Sequence, residues 1–381
     1  MTRKLILASA GAGKTRYIAK QALEMAKNGQ ATLILTYTEN NQKELTNKIC
    51  KVNGYVPSNI TIKGWFTFLL EDMIRPYQRC VFKDRIPGVH LNSFNPHIRC
   101  GRTLKGRSEK LNGAYNPLCF LTKSDKKAHT IYLSKLASII HKETKGKTTQ
   151  RLAEIYNAVF IDEVQDLIGW DFDIIRAVAK VEECMFICVG SFRQTIYTTS
   201  NAQKKPKTNA EKLKTFKKIG FEPEYMNISW RCIQPICDFA DLVHSDENCY
   251  PTTSSQVIEV PDEHAEHLGV FVISSDAVSE YIQRYNPVIL RLNKTTQMQL
   301  CDQHSAYNFG ESKGLGFERI LILPTKKHRN FLSGKGAVFD CGKTEKAKNA
   351  FYVAITRARY SVAFVYDGDV SLDCVDVWSP S

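Results

Sequence analysis

The sequence predicts an α/β protein of two units, each built on a mostly parallel sheet, with a basic insertion in the first. Three observations predict this class. Apolar strand-like runs alternate with stretches of helical spacing. A glycine loop follows the first run and opens the first helix. A second set of strands begins past Lys218. At 381 residues the chain is long enough for two or three domains with proper cores.

Taken in order, Leu5-Ile6-Leu7 form the first strand. Helical spacing then runs through Ile18, Ala22, Leu23 and Met25. "ATLILTYT" is a second strand, and "NITIKGWFTFLL" supplies a third that leads into a helix. Residues 76–150 are basic, rich at first in Gly, Pro and Asn and then helical, which predicts an insertion. "NAVFIDEVQDL" ends a strand on two carboxylates, and "MFICVGSF" ends one at Gly190. Ligands of such a sheet gather at the strand C-termini. Beyond Lys218, strands are expected at "GVFVIS", "PVILRL", "RILILP" and "VAFVYD". Helices are expected over Ile233–Val243 and Asn349–Arg359. The predicted organisation is residues 1–75 with 151–218 as the first unit, 76–150 as the insertion and 219–381 as the second unit.

Composition narrows the function. Hydrophobic content is 43%, and no apolar run approaches the ~20 residues that span a bilayer. "KLILA" is too short for a signal-peptide core. Twelve cysteines without a C-x-x-C pair fit reduced thiols in a cytoplasmic protein. His97 and Cys100, near Cys80 and Cys119, allow a zinc site on paper, with free thiols as the alternative. A net charge of +13 favours a polyanionic partner. Thirteen Lys/Arg against three acids (Glu109, Asp125, Glu143) lie between Arg99 and Arg151, and a second basic cluster runs from Lys204 to Lys218. Each of these residues alone reads as solvated surface; as clusters they suit phosphate contact.

The chemistry-bearing residues follow. Ala8, Ser9, Ala10, Gly11, Ala12, Gly13, Lys14 and Thr15, with Arg16 next, form a phosphate-gripping loop between strand and helix. Lys14 suits the β/γ-phosphates and the Thr15 hydroxyl suits Mg²⁺. Asp162, at a strand end, is a second Mg²⁺ ligand, and Glu163 beside it is placed to take a proton from attacking water. Together they point to hydrolysis of a nucleoside triphosphate such as ATP.

"DEVQD" resembles motif II of superfamily 1 helicases of the UvrD/Rep type, and the resemblance runs the length of the chain. "ILTYTENNQKEL" is similar to motif Ia, and "TIKGWF" stands where the family has T-F-H-S-F. "GSFRQTIY" resembles motif III, "ISWRC" motif IV, and "PVILRLN" the following A-x-L-x-R-x-N strand. "ESKGLGFERILIL" is similar to motif V and "YVAITRAR" to motif VI. The resemblance implies two RecA-like P-loop NTPase lobes, with ATP hydrolysed between them to move on single-stranded or partly duplex DNA. It implies that Gln194 senses the γ-phosphate and that Arg231 and Arg357 act as arginine fingers. Trp230 stacks on the base or is a core residue, and Lys313 and Gly314 line the nucleotide cleft. Thr36, Thr38, Thr61 and Trp65 lie along the strand track, with simple packing as the alternative for Trp65.

The chain also departs from the family. Only Met1 to Leu7 precede the loop, so the upstream glutamine motif has no counterpart and base preference stays open. Ser191 replaces the motif III aspartate, and Thr199 and Ser200 fall in the Tyr197–Ala202 stretch where the family has a Trp-Arg pair. Gly316 replaces a ribose-binding glutamate. Fewer than twenty residues separate Leu292 from Glu311, so no large 2B domain is inserted there. "GSFRQTIYTTSN" and "SKGLGFERILILPT" resemble in particular the UvrD-like subunits of anti-phage systems such as Gabija, which work beside a nuclease. Two functions are therefore expected: a DNA-dependent ATPase that translocates or unwinds, or a nucleotide- and DNA-gated subunit that controls a partner nuclease. A small-molecule kinase does not account for "DEVQD" and "ITRAR", and a purely structural DNA binder needs no Lys14, Glu163 or Arg357.

Overall fold

The computed structural model describes residues 3–92, 94–196, 204–244, 250–256, 258–296, 298–335, 339 and 345–380. Thr199 and Ser200 lie outside the described residues. The chain divides into two compact units. The first comprises Met1–Leu7, Lys14–Gly190 and Tyr197–Glu224; the second comprises Ala8–Gly13, Ser191–Ile196 and Tyr225–Ser381.

The first unit is organised on six strands: β1 (Arg3–Ala8), β2 (Thr32–Thr36), β3 (Ile60–Gly64), β4 (Ala158–Ile161), β5 (Met185–Gly190) and β6 (Glu222–Met226). Their order is β6-β1-β5-β4-β2-β3. From β1 to β3 the neighbours run parallel, with Leu7 opposite Gly190 and Ile161 opposite both Cys188 and Leu35. Every residue of β2 and β4 is buried, which is why these strands are apolar without alternation: helices cover both faces. β6 carries Glu222, Pro223 and Glu224 and is largely exposed, as suits an edge. Parallel pairing brings the strand C-termini to one side of the sheet.

Helices α1 (Lys14–Lys27) and α2 (Glu39–Asn53) follow β1 and β2. Ile18, Ala19, Ala22 and Leu23 form the buried stripe of α1. Thr38 caps α2 by accepting from the Asn41 amide, and Gly54, at φ 85°, ends it. Within residues 76–150, two antiparallel hairpins (Ile98–Arg99 with Arg102–Thr103, Lys110–Leu111 with Ala114–Tyr115) precede α3 (Thr130–Glu143) and the start of α4 (Lys147–Ile155). Helices α5 (Asp171–Val178) and α6 (Asn209–Ile219) complete the unit; Thr208 and Glu211 form a capping box on α6 and Gly220 stops it.

The second unit has β7 (Gly269–Ile273), β8 (Val288–Arg291), β9 (Ala306–Asn308), β10 (Phe317–Ile322), β11 (Ala358–Val365) and β12 (Asp376–Trp378). The order is β9-β8-β10-β11-β7-β12, and every neighbouring pair is parallel. Alternate residues feed opposite faces: Leu290, Ile322 and Phe364 enter one core, and Ile289, Leu321 and Ala363 enter the other. Helices α7 (Gln234–Leu242) and α9 (Glu345–Ile355) contribute Phe239 and Phe351 to the first core, and α8 (Val278–Tyr285) contributes Tyr281 to the second. The fold is thus mixed α/β with two six-stranded sheets, consistent with two RecA-like lobes.

One helix differs from expectation. The segment expected to be helical over Asn349–Arg359 starts at Glu345 and stops at Ile355, and Ala358 already pairs with Phe317. Tyr360, Val362 and Phe364 alternate into the sheet, and that pairing overrides the helical preference of Ala and Arg. Arg357 therefore sits in the turn, not on the helix. Three short edge strands, β6, β9 and β12, were not expected from their polar sequences.

Candidate functional site

In the first unit the site grows from the end of β4. Asp162 is buried, and its Oδ1 accepts the Glu163 amide at 2.9 Å. Glu163 adopts φ 53°, ψ 38°, a left-handed conformation uncommon for a residue with a side chain. This turn directs one carboxylate oxygen to 3.5 Å from Lys14 Nζ, at the start of α1, while the Gln165 amide donates to the other. A methyl group on Gly190 of β5 would lie 2.5 Å from Gln165 Oε1 and 2.9 Å from Val164 Cγ1. Glycine there lets the strand lie directly against the Asp-Glu turn. Lys212 of α6 donates to the Gln165 carbonyl.

Burial, reinforced by the negative Glu163, pushes the Asp162 carboxyl up to about 7, and the Lys14 ammonium opposes the shift. Thr15 and Asp162 supply the hard oxygen donors that Mg²⁺ selects, so the residues present fit that ion. Lys14 is placed for phosphate oxygens.

In the second unit a separate set converges. Gly11 and Gly13 both have positive φ (75° and 83°). A Cβ on Gly11 would fall 2.7 Å from Ser229 Oγ and 2.8 Å from Arg231 Cβ, and the Gly11 carbonyl accepts the Trp230 amide at 3.0 Å. Arg231 Nη1 donates to the Thr356 carbonyl at 3.1 Å. Arg357 is buried, with Nε on the Val353 carbonyl and Nη1 on the Leu315 carbonyl, each at 3.0 Å. Gly314, at φ 93°, follows Lys313 in the turn that leads to Leu315. Gly316 lies beside Arg231, whose Nε would be 3.6 Å from a Cβ there. Gln194 ends a short 3₁₀ turn; it is 5% exposed, and its Nε2 has no hydrogen-bond partner among the described residues. Trp230 is 53% exposed, so it is not a core tryptophan.

The expected strand-track residues separate. Thr38 is exposed and caps α2, while Thr61 is half-buried on the edge strand β3. Thr36 is buried. Trp65 is a correction: it is 1% exposed, and its indole N–H donates to Asp171 Oδ1 at 2.9 Å. It has no face to offer a base, and the packing alternative holds. The reason is Asp171, a residue the sequence did not single out. Asp171 also accepts the Ser134 hydroxyl and, at 3.0 Å, the Ile168 amide, so a buried carboxylate organises the residues after "DEVQD". Its position at the first turn of α5 is a signal only in hindsight. At the other candidate cluster, His97 Nε2 meets the Cys119 carbonyl at 2.9 Å and Nδ1 the Tyr132 hydroxyl at 3.2 Å, which occupies both ring nitrogens. Among the described residues no group of three metal-ligating side chains occurs, and no helix is long and apolar enough to cross a membrane.

A solved structure similar to this chain is that of arterivirus nonstructural protein 10, a helicase, in complex with DNA. The identity is 12%, the TM-score 0.42, and the match covers 96% of this chain and 60% of that one. This chain therefore corresponds to less than two thirds of that protein's length. No curated protein matches it. The AAA domain family matches residues 2–200, which is 199 of 381 positions and more than half of the chain. The chain belongs to the AAA domain family.

Proposed function

We propose that this protein is a nucleic-acid-dependent ATPase of the superfamily 1 helicase type, which uses ATP hydrolysis to move on or open DNA. The observation that carries the reading is the buried Asp162–Glu163 turn with Lys14 3.5 Å from its carboxylate. Lys14 binds the β/γ-phosphates. Mg²⁺, when held by Thr15 and Asp162, offsets phosphate charge. Glu163 accepts the proton of the attacking water, and Gln165 fixes the orientation of that carboxylate. Gln194, Arg231 and Arg357 take their roles from the motifs they occupy: the amide senses the γ-phosphate, and the arginines stabilise its transition-state charge.

Nucleic acid as partner is supported by how the insertion spends its acids. Glu109 pairs with Lys135 at 2.6 Å, Asp125 pairs with Lys127 at 2.9 Å, and Glu143 accepts the Tyr115 hydroxyl at 2.8 Å. Arg99, Arg102, Lys105 and Lys110 remain exposed beside them. The absence of a 2B-sized stretch between Leu292 and Glu311 supports placing the chain with the reduced UvrD-like subunits of anti-phage systems such as Gabija, with a nuclease as partner.

A second reading, a gated subunit that controls that nuclease with little unwinding of its own, is favoured by Ser191. This buried serine stands where the family carries an aspartate. Steady-state ATP hydrolysis with and without single-stranded DNA, with Glu163→Gln as control, separates the two. Strong DNA stimulation that is lost in Glu163→Gln, with nucleotide binding retained, supports the motor. Nucleotide binding with little turnover in either condition supports the gated subunit. Full turnover by Glu163→Gln removes it as the base.

A further inference from the structure

The residues before and after Gln194 are held by a polar cluster that the motif roles above do not use. Arg193 is 5% exposed, a buried cation. Its Nη1 lies 2.6 Å from Asp241 Oδ1 and 3.3 Å from Thr252 Oγ1, and Nη2 donates to the Tyr250 carbonyl. The guanidinium also lies over the rings of Tyr250 and Tyr352, 4.2 and 5.8 Å from their centroids. On the other side of Gln194, the Thr195 carbonyl accepts from Asn349 at 3.0 Å. The turn is thus clamped at both flanks, while the side-chain Nε2 of Gln194 is buried without a partner among the described residues.

The same cluster reaches the glycine loop. Thr252 Oγ1 donates to Asp241 Oδ1 at 2.9 Å, and the Thr252 amide donates to Oδ2 at 2.5 Å. Ser9 Oγ is 2.9 Å from Thr252 Oγ1. The Ala10 amide donates to the Tyr352 hydroxyl at 3.3 Å. Removing Arg193 takes from Asp241 a cation that lies 2.6 Å away. Removing the Tyr352 oxygen leaves the Ala10 N–H unpaired in a buried setting.

We propose that Arg193, Asp241 and Tyr352 are positioning residues that hold the glycine loop and the Gln194 turn in a single register, so that phosphate binding and γ-phosphate sensing are set together. None of them touches the reacting atoms in this scheme; Arg193 and Asp241 act through Gln194, and Tyr352 acts through the loop. The inference rests on the ATPase reading above.

The test is ATP hydrolysis by the full chain and by Arg193→Lys, Asp241→Asn and Tyr352→Phe, with rates expressed per nucleotide site titrated by a slowly hydrolysed ATP analogue. Arg193→Lys and Asp241→Asn should lower kcat by about tenfold or more at a KM within about twofold, because a displaced sensing group costs rate and not affinity. Tyr352→Phe, which loses one oxygen and keeps its ring, should raise KM by about three- to tenfold at nearly unchanged kcat. A merely structural role would reduce the number of titrated sites and leave kcat and KM per site unchanged, and that result overturns the proposal. Should the unaltered chain titrate no nucleotide site at all, the ATPase reading falls and takes this inference with it. A nucleotide-binding chain whose three variants match it per site rejects this inference alone.

Discussion

The two units share an architecture and hold opposite chemistry at their functional turns. Each is a six-stranded sheet with parallel pairing between helices. The first presents carboxylates, Asp162 and Glu163, held by one another, by a side-chain amide and by Lys14. The second presents arginines, Arg231 and Arg357, tied to the backbone carbonyls of Thr356, Val353 and Leu315. A carbonyl satisfies a guanidinium without neutralising it, and these carbonyl bonds fix where the two side chains lie. In the first unit the charged groups act on one another: burial and the negative Glu163 raise the Asp162 carboxyl above its ordinary range, and the Lys14 ammonium opposes that shift. One scaffold thus presents acidic groups contacted by side chains in one unit and basic groups bonded to backbone carbonyls in the other.

The contrast can be broken at its centre. Arg231→Ala should leave a folded chain that binds ATP and turns it over about 10³–10⁵-fold more slowly, measured as kcat under saturating ATP. A kcat within tenfold of the unaltered chain would show that the carboxylate unit suffices alone.

A second difference, of degree only, is acid sensitivity: burial lowers His97, His129 (about 4) and His141 in the first unit, and the second unit holds the more deeply depressed imidazoles. His328 stacks on Phe351 at 4.2 Å, accepts the Thr325 amide, and is held by burial at about 3, well below the usual imidazole range. Because its folded-state value is depressed, the stability it contributes is present above about pH 6.5 and is lost as pH falls toward 3. His244 (about 2) and His267 (about 4), also in the second unit, act in the same direction. Hydrogen exchange followed between pH 7 and pH 4 should show α9 and β11 losing protection, and His328→Gln, which keeps an acceptor without titrating, should recover part of that loss. Equal losses with and without the substitution would place the sensitivity elsewhere.

The smallest effect sharpens the first unit. Trp65→Phe should cost about 1–3 kcal/mol, because Asp171 loses one of its buried donors, and it should leave DNA affinity unchanged. Weaker DNA binding at unchanged stability would return Trp65 to the nucleic-acid path.

Much of this was legible in the sequence because the interior strands are apolar on both faces and end at residues of rare chemistry. "NAVFIDEVQDL" located β4 and its carboxylates, and "PVILRLN" located β8, for the same reason. The illegible parts depend on partners far apart in the chain. Nothing in "TIKGWF" says that the tryptophan will meet Asp171, 106 positions later. Nothing in "GSFRQ" says that its arginine will meet Asp241. The end of α9 at Ile355 was missed because pairing of Ala358 with Phe317, and not local preference, decides it.

Glu163 has one more consequence. A left-handed residue with a Cβ costs roughly 1–2 kcal/mol relative to glycine. A library selected for thermal persistence alone should therefore drift at this codon toward glycine or asparagine, and its most robust members should be hydrolytically dead. With Glu163 in its proposed role as base, stability and turnover pull against each other at a single backbone angle.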